Sequence, residues 1–426
     1  MKNVKYLQCI NCGKTFEPVP GRYTCDVCGS SEGILDVVYD YDYIESNYGR
    51  SYFKRNKKYS IWRYEPFLPV EPEGPKPGLR VGWSPIYKAD ALAKEIGLEA
   101  LFIKDDGINP TGSLKDRASS VAVAKALEEK AQIICCSSTG NAASSLAGNA
   151  ASAGLKTVIF VPERAPKGKV AQLKIFGSNV ISVQGSYAET FRLSALAIKK
   201  YGWYDRNAAV NPYLVEGKKT VSLEICEQLD WKVPDWVVLS VGDGCTIAGA
   251  WKGFVDLYRT GFIKKLPKMA GVQALGCEPL TKAFHSNERL VPCLENTVAD
   301  SIAVGVPRNP EKALRAVRES QGTFTSVSDE EIFAAMRLLG KTSGIFGEPA
   351  GVAGMAGLKK LVAEGVIGKG ESVACVVTGN GLKDVNNAVK AAGEPVQVSP
   401  EKDDLFEILE SIPGLTGAMD EALQTG

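Results

Sequence analysis

One lysine in the sequence stands where a reactive amine would be expected. Lys115 lies in residues 109–117, NPTGSLKDR, where an apolar run passes through a turn into a helical pattern. The positive field at a helix start favours the neutral form of a lysine, and a neutral amine is the form that makes an imine with a carbonyl compound. A lysine between a leucine and an aspartate is more often a surface charge, so the neighbouring loops must decide between the two interpretations.

Three other loops follow apolar runs and are rich in glycine and hydroxyl side chains. Residues 137–141, SSTGN, open an alanine-rich helix, which predicts either an anion site suited to an α-carboxylate or an ordinary helix N-cap. In residues 241–249, VGDGCTIAG, glycines would let the backbone wrap a phosphate at a helix start. Thr378, in the segment TGNGLKD, offers a neutral hydroxyl.

Alternating strand and helix patterns must position these loops. From Val81 onward, short apolar runs alternate with amphipathic helical patterns, and the strand candidates are LFIKD, IICCSS, TVIFVP, NVISVQG, WVVLSVG, MAGVQALG and SVACVVTG. This alternation predicts an α/β fold with a mostly parallel, doubly wound sheet. Because ligands of open α/β sheets bind at the carboxyl ends of the strands, we expect these loops to contribute to one site.

Composition and charge favour small-molecule chemistry. The chain has 426 residues, 45% of them hydrophobic, which suffices for two or three domains with buried cores. Its 50 basic and 49 acidic residues give a net charge of +1, so neither nucleic acid nor an anionic membrane is an expected partner. The sequence has no signal-peptide pattern and no apolar run of the roughly 20 residues that a membrane span needs, so a cytoplasmic protein is expected.

Four cysteines near the N-terminus have the spacing of metal ligands. Two Cys-x2-Cys pairs, each followed by glycine, are separated by twelve residues, and they are Cys9, Cys12, Cys25 and Cys28. This pattern predicts a structural Zn²⁺ ribbon, because four thiolates close a tetrahedral site and leave no open position for catalysis. The alternative is that the metal has been lost and the thiols are free. The remaining cysteines are expected to be reduced core residues.

The four loops together resemble the threonine synthase family of fold type II pyridoxal-5'-phosphate (PLP) enzymes. The family's motifs NPTGSFKDR, STGN, GNxGN and TGHGLKD correspond in order to NPTGSLKDR, STGN, GDGC and TGNGLKD here, and the resemblance extends from the cysteine pairs to about Lys390. It implies a tryptophan synthase β-like fold, with the cofactor between two doubly wound α/β domains. It also implies a PLP-dependent carbon-oxygen lyase of amino-acid metabolism that forms a homodimer.

The resemblance assigns a role to each loop. Lys115 would be the Schiff-base lysine and the proton shuttle, and Asn141 and Thr378 would bracket the pyridine ring. The cofactor phosphate would be held by Gly242, Asp243, Gly244, Cys245 and Thr246. The amino-acid substrate would be bound by Ser138, Thr139, Gly140, Ala209 and Leu214. These roles fit the residue types, because PLP supplies the electron sink and the protein need only orient the breaking bond and relay a proton.

The resemblance also suggests domain boundaries. Residues 1–38 would be the zinc ribbon and residues 39–115 a linker and the start of the large PLP domain, with the proline-rich passage 66–77 lying over the surface. A smaller α/β domain would span 116–214, the rest of the large domain 215–398, and a C-terminal helix and tail 399–426.

Several positions depart from the family where it binds a substrate phosphate. In residues 208–217, AAVNPYLVEG, Ala209 and Leu214 replace a serine and an arginine, and in the cofactor loop Asp243 replaces an asparagine. Ala142 replaces a threonine often found after STGN, and Asn380 a histidine. Losing a charged hydrogen bond forfeits about 1.5–3 kcal/mol, which argues against a phosphorylated substrate unless other basic residues compensate. Candidates for that compensation are Lys104, Arg117 and Lys218.

Three functions therefore remain open. The first is a threonine synthase that converts O-phosphohomoserine and water into threonine and phosphate. The second is a threonine synthase-like β-elimination or β-replacement enzyme for a non-phosphorylated amino acid, favoured by Ala209, Leu214 and Asp243. The third is a non-catalytic PLP-binding relative, which the intact Lys115 disfavours. A metal-dependent hydrolase has little support, because His285 is the only histidine.

Overall fold

The fold is known from a computed structural model that describes residues 1–165, 167–400 and 405–412. The strands, in chain order, are β1 (Val4–Cys9), β2 (Thr15–Phe16), β3 (Leu35–Tyr39), β4 (Ile86–Lys88), β5 (Ala100–Asp105), β6 (Ile133–Ser137), β7 (Lys156–Pro162), β8 (Asn179–Val183), β9 (Tyr204–Asp205), β10 (Trp236–Ser240), β11 (Lys268–Ala274), β12 (Thr323–Val327) and β13 (Ser372–Val377). They form three separate sheets of three, six and four strands.

The helices surround these sheets. In chain order they are α1 (Gly29–Glu32), α2 (Tyr41–Asn47), α3 (Arg50–Arg55), α4 (Asp90–Ile96), α5 (Lys115–Glu128), α6 (Asn141–Ala151), α7 (Lys167–Ile175), α8 (Tyr187–Tyr201), α9 (Tyr213–Gln228), α10 (Cys245–Arg259), α11 (Pro279–Ser286), α12 (Pro310–Glu319), α13 (Asp329–Ser343), α14 (Pro349–Ala363), α15 (Val385–Ala392) and α16 (Leu405–Ser411). Among the described residues, none of these helices is both long and apolar enough to cross a bilayer.

The six-stranded sheet has the order β12-β11-β10-β13-β5-β4 and is parallel except for β4. Its central strands bury both faces, which explains their nearly continuous apolar sequences. In β10, Val237 and Leu239 pack into one core with α10 and α12, whereas Trp236 and Val238 pack into a second core with α4, α13 and α14. The doubly wound arrangement expected from the sequence is confirmed.

The four-stranded sheet has the order β8-β7-β6-β9 and is entirely parallel. Helices α5 and α6 cover one face, where Ala122 and Leu146 pack against Ile134 and Ile159 of the sheet. Helix α8 covers the other face through Ile198. Both α5 and α6 begin in glycine-containing loops, so this sheet helps to fix two of the four loops singled out in the sequence.

The N-terminal segment forms a small antiparallel sheet of order β2-β1-β3. It is joined to the large α/β core by Tyr39, whose hydroxyl donates to the carboxylate of Glu216 at 2.7 Å. The proline-rich passage that follows differs from the surface linker expected from the sequence. Residues 61–70 are all buried and only the part from Glu71 onward is largely exposed, because Phe67 and Leu68 fill the same core as Phe53.

The described part of the predicted C-terminal segment contains one helix. Helix α16 lies within the predicted C-terminal segment, and residues 401–404 and 413–426 lie outside the described residues. Strand β12, which the sequence patterns did not predict, forms the edge of the large sheet beside β11.

Candidate active site

The loop that carries Lys115 is fastened to the end of a neighbouring strand. Strands β5 and β13 pair in parallel, so the loops after them emerge side by side. The backbone N–H of Leu114 donates to the carbonyl oxygen of Thr378 at 2.9 Å, and the N–H of Asn380 donates to the carbonyl oxygen of Gly112, also at 2.9 Å. Gly112 has a φ of +85°, which a residue with a side chain would adopt only under strain. These bonds bring two sequence-distant loops together.

Asp116 closes the same loop from the other side. Its carboxylate accepts hydrogen bonds from the backbone N–H and the hydroxyl of Thr111, both at 2.8 Å, and from Nδ2 of Asn149 in α6 at 3.0 Å. Arg117 is completely buried and forms ion pairs with Asp106 and Glu224. The first turn of α5 is therefore held rigidly, which fixes the direction in which the preceding lysine points.

Lys115 lines two adjoining cavities, a smaller one of about 80 Å³ and a larger one of about 280 Å³. Burial lowers the pKa of its amine to about 8, and the positive charge of Lys218 acts in the same direction. The amine can therefore exchange between its protonated and neutral forms near neutral pH. A perturbed lysine in a cavity is the expected property of a nucleophile or a proton carrier.

The smaller cavity is bounded by the start of α10. Gly244 has a φ of +85° and precedes the helix, and it has no side chain that could cap the N–H groups of the first turn. A Cβ at Gly242 would lie 2.9 Å from Cα of Ile302, so only glycine lets the loop approach that segment. An uncapped helix start in a glycine loop is a site for a phosphate group.

A buried glutamate that the sequence analysis missed lies in the same cavity. Oε1 of Glu348 accepts a hydrogen bond from Nδ2 of Asn141 at 2.5 Å. Burial raises the pKa of Glu348 to about 7, although the bond from Asn141 acts in the opposite direction. The sequence carried one signal for this residue, since a glutamate directly before Pro349 stands at a helix N-cap, but nothing in the sequence linked it to Lys115.

The structure brings most of the predicted site residues together. The smaller cavity is lined by the two ring-bracketing candidates and the phosphate-loop candidates, namely Asn141, Thr378, Gly242, Asp243, Gly244, Cys245 and Thr246, and by Leu214. The larger cavity is lined by Ser138, Thr139 and Gly140. Ala209 lines neither of these two cavities, whereas its neighbour Ala208 lines both.

Of the three basic residues proposed to compensate for the missing arginine, only one lines a cavity around Lys115. Lys104 and Arg117 are completely buried and both pair with Glu224, at 2.7 and 2.5 Å, outside the two cavities around Lys115. Both residues are therefore already paired in the protein interior. Lys218 lines the smaller cavity.

Comparison with protein families decides how this site is interpreted. Residues 78–379 match the family described as "Pyridoxal-phosphate dependent enzyme". The chain belongs to this family.

Two relatives of this PLP-family enzyme match nearly its whole length. Threonine synthase of Methanocaldococcus jannaschii is 40% identical over 95% of this chain and 99% of the relative. Threonine synthase of Methanosarcina acetivorans is 41% identical over 95% of this chain and 98% of the relative. The enzyme is thus a PLP-dependent lyase that resembles threonine synthase, and the alternative of a related enzyme for a different amino acid is not favoured.

Solved structures agree with the fold. Diaminopropionate ammonia lyase from Escherichia coli matches with a TM-score of 0.65 and 19% identity, over 80% of this chain and 92% of the other. Threonine deaminase isoform 2 from Solanum lycopersicum matches with a TM-score of 0.61 and 22% identity, over 72% of this chain and 87% of the other. At these identities the likeness concerns the fold alone, and it confirms the fold type II architecture.

The four N-terminal cysteines converge as their spacing predicted. Their sulfur atoms all lie within 4.8 Å of one another. None of the cysteines of the chain forms a disulfide bond. A cluster of four thiols without carboxylates or histidines is the donor set that Zn²⁺ prefers in structural sites.

Proposed function

We propose that this enzyme converts O-phosphohomoserine and water into threonine and phosphate, with PLP bound at Lys115. The observation that carries the proposal is the smaller cavity, which unites a lysine of lowered pKa with a phosphate-type helix start and with Asn141 and Thr378. The full-length similarity to proteins named threonine synthase supports the same reaction.

The residues around the cavity suit the cofactor. PLP, when bound, supplies the electron sink for breaking bonds at the amino acid. Gly242 and Gly244 leave room for a phosphate, and the N–H groups at Cys245 and Thr246 begin a helix whose dipole attracts it. The hydroxyl of Thr378 would meet the pyridine nitrogen as a neutral partner.

Two groups would hold or move protons. Nζ of Lys115, with a pKa of about 8, can both accept and release a proton at neutral pH. The carboxyl group of Glu348, with a pKa of about 7, holds a proton for part of the time and presents Oε1 to Asn141. Such a pair of groups, with pKa values of about 7 and about 8, suits a reaction that needs several proton transfers at one site.

The substrate's α-carboxylate would bind where α6 begins. Ser138, Thr139 and Gly140 line the larger cavity and precede the helix, so their hydroxyls and N–H groups lie in its positive field. The hydroxyl of Ser138 accepts a hydrogen bond from the N–H of Gly140 at 3.2 Å, which shapes the loop.

The proposal is tested by supplying the purified enzyme, loaded with PLP, with O-phosphohomoserine. We expect threonine and inorganic phosphate to appear in equal amounts. A panel of non-phosphorylated amino acids, including serine and homoserine, provides the comparison. Turnover of a member of that panel, with no threonine formed from O-phosphohomoserine, would exclude the proposed reaction.

We also propose that the N-terminal cluster binds one structural Zn²⁺ through Cys9, Cys12, Cys25 and Cys28. The proposal is supported by the convergence of the four sulfur atoms and by the small size of the sheet that carries them. A metal held by four thiolates would stabilise this segment without taking part in catalysis.

Two further proposals concern the oligomeric state and the cellular location of the enzyme. A homodimer is inferred from the family resemblance alone, and light scattering during gel filtration would measure it directly. A cytoplasmic location is inferred from the sequence, because the seven cysteines outside the N-terminal pairs have no disulfide-like spacing and a reducing compartment keeps thiols unpaired.

A further inference from the structure

A pair of adjacent polar residues lies beside the loop that would receive the α-carboxylate. Arg206 and Asn207 directly follow β9, which is the edge strand beside β6. Both line the larger cavity together with Lys115, and Arg206 also lines the smaller one. Each residue is only 2% exposed. Neither residue belongs to the segments that the sequence analysis connected with a substrate.

Asn207 has an unused donor in this cavity. Its Oδ1 accepts a hydrogen bond from the backbone N–H of Ser137 at 2.9 Å. Its Nδ2 is buried and has no hydrogen-bond partner among the described residues. A buried donor without a partner destabilises a protein unless a ligand or water supplies an acceptor. The amide therefore favours a ligand that presents an oxygen atom at this wall of the cavity.

Arg206 adds a fixed positive charge to the lining of the same cavity. Its Nε and Nη2 donate to the hydroxyl of Ser119 at 3.2 and 3.0 Å, which holds the guanidinium plane in one orientation. An arginine remains charged at every physiological pH and its planar fork matches the geometry of phosphate oxygens. The combination of arginine and asparagine selects an oxyanion rather than a neutral group.

The carboxylates that line the larger cavity are held by other groups. Oδ1 of Asp243 accepts from the N–H of Arg308 at 3.2 Å. Oε1 of Glu295 accepts from the N–H of Gly305 at 2.9 Å. Asp300 forms an ion pair with Lys169. The backbone or a lysine thus engages one oxygen of each acid, and three arginines, Arg206, Arg308 and the exposed Arg164, line the same cavity.

We propose that Arg206 and Asn207 form the subsite for the phosphate group of the substrate, at a place in the fold different from the position of Leu214. The inference rests on the proposed function, because it assumes that the amino acid carries a phosphate in addition to its α-carboxylate. It accounts for the apolar Leu214, which is buried at the start of α9 and packs into the core of the smaller sheet. In this arrangement the cation for the substrate phosphate comes from the end of β9 and not from α9.

The test compares two variants of the PLP-loaded enzyme with a matched control. Arg206→Met removes the charge at similar length. Asn207→Asp keeps an oxygen for the N–H of Ser137 but replaces the donor by a negative charge. The control is Arg259→Met, which changes an exposed arginine at the end of α10 outside both cavities. Retained colour of the bound cofactor and an unchanged circular dichroism spectrum establish that each variant is folded.

Three ligands distinguish binding of the substrate's phosphate group from binding of the rest of the amino acid. The kinetic constants are measured with O-phosphohomoserine, inhibition is measured with inorganic phosphate, and binding of L-homoserine is measured by the change in absorbance of the bound cofactor. We expect KM for O-phosphohomoserine and the inhibition constant of phosphate to rise about 10- to 100-fold in Arg206→Met and Asn207→Asp. Binding of L-homoserine should change less than about threefold, as should every constant of Arg259→Met.

The outcomes distinguish the subsite from the proposed reaction. If the enzyme forms threonine but both variants keep the wild-type KM and the wild-type inhibition by phosphate, the subsite proposal is wrong and the proposed reaction stands. If the enzyme forms no threonine but both variants bind O-phosphohomoserine and phosphate more weakly than wild type, the subsite proposal is supported and the proposed reaction is excluded. Equal weakening for L-homoserine and O-phosphohomoserine would assign both residues a purely structural role. If Arg206→Met does not fold, the same constants are measured with Asn207→Asp and Arg206→Lys.

Discussion

Nδ2 of Asn141 lies 2.5 Å from Oε1 of Glu348, so the first residue of α6 and the N-cap of α14 are joined by a buried hydrogen bond. The bond links α6, which covers the four-stranded sheet, to α14, which covers the six-stranded sheet, at the cavity that contains Lys115. It also leaves a carboxyl group at this junction whose pKa is raised to about 7. The stability of the junction should therefore depend on pH.

The first prediction follows from the sign of that pKa shift. Because the carboxyl pKa of Glu348 rises from 4.5 to about 7 on folding, the folded state binds more protons between these values. Stability should then fall as pH rises through this window, by an amount on the order of 3 kcal/mol from this group. Glu348→Gln should remove that part of the slope. Urea unfolding of the cofactor-free protein between pH 4.5 and 8 measures it.

Glu364→Gln is the matched control for this measurement, since Glu364 is exposed at the opposite end of the same helix. It should leave the pH dependence of stability unchanged. Equal slopes for wild type and Glu348→Gln would show that the carboxyl of Glu348 titrates in the folded protein as it does in the unfolded chain.

The second prediction concerns the covalent attachment of PLP. Lys115→Ala should abolish turnover and the retention of cofactor after borohydride reduction, because the amine that attacks the aldehyde is absent. Intact-mass measurement of the reduced protein gives the result directly. Lys218→Ala is the control within the same cavity and should retain the adduct. A reduced adduct of the Lys115→Ala protein would require another lysine to be the attachment site.

The third prediction tests the buried charges that support the first turn of α5. Glu224 pairs with Lys104 and Arg117, and all three side chains are inaccessible to solvent. Glu224→Gln would leave two cations with less compensation and should lower the free energy of unfolding by about 3–5 kcal/mol. Asp90→Asn, which breaks the exposed pair with Lys88, should change it by less than about 1 kcal/mol. A small effect of Glu224→Gln in urea unfolding would contradict this account.

The fourth prediction concerns zinc. Elemental analysis should find about one Zn²⁺ per chain, and Cys12→Ser should release it, because a closed tetrahedral site needs all four thiolates. Proteolysis should then cut the N-terminal segment faster, while binding of PLP is retained. Cys375→Ser, at a buried cysteine in β13, should keep the metal. Protein that contains no zinc when prepared without chelator would refute the metal site.

Much of the fold could be predicted because its signals are local. The apolar run of β10 and the glycine loop before α10 are adjacent in sequence, so the pattern itself contains both the strand and the turn. The same holds for the loop before Lys115. The pairing of β5 with β13, which brings Lys115 to Thr378, could only be inferred from the family resemblance.

Other features depend on contacts between residues that are far apart in the sequence, and local sequence patterns do not predict such contacts. Residues 66–77 resemble a linker by their prolines, yet Phe67 is buried because α3 contributes Phe53 to the same core. Glu348 meets Asn141 although the two residues are 207 positions apart. Asn207 becomes a candidate binding residue only because its buried Nδ2 lacks a hydrogen-bond partner among the described residues, and no sequence pattern predicts that.

The last prediction concerns the aspartate in the phosphate loop. Asp243 lines the cavity beside Gly242 and Gly244, and its charge favours the protonated form of Lys115. In Asp243→Asn the side chain can still accept from the N–H of Arg308, but its charge no longer repels a phosphate dianion. Affinity for PLP should increase about fivefold or more, corresponding to about 1 kcal/mol, and the increase should shrink at high salt.

Titration of the cofactor-free protein with PLP at low and high ionic strength measures both effects. Loss of the negative charge should also lower the pKa of Lys115 further, so the pH at which PLP attaches most rapidly should shift downward. Asp300→Asn is the control, because the carboxylate of Asp300 is already paired with Lys169 at the rim of the larger cavity. If Asp243→Asn bound PLP more weakly than wild type, the carboxylate would have to position the loop through its bond to Arg308 rather than repel the cofactor.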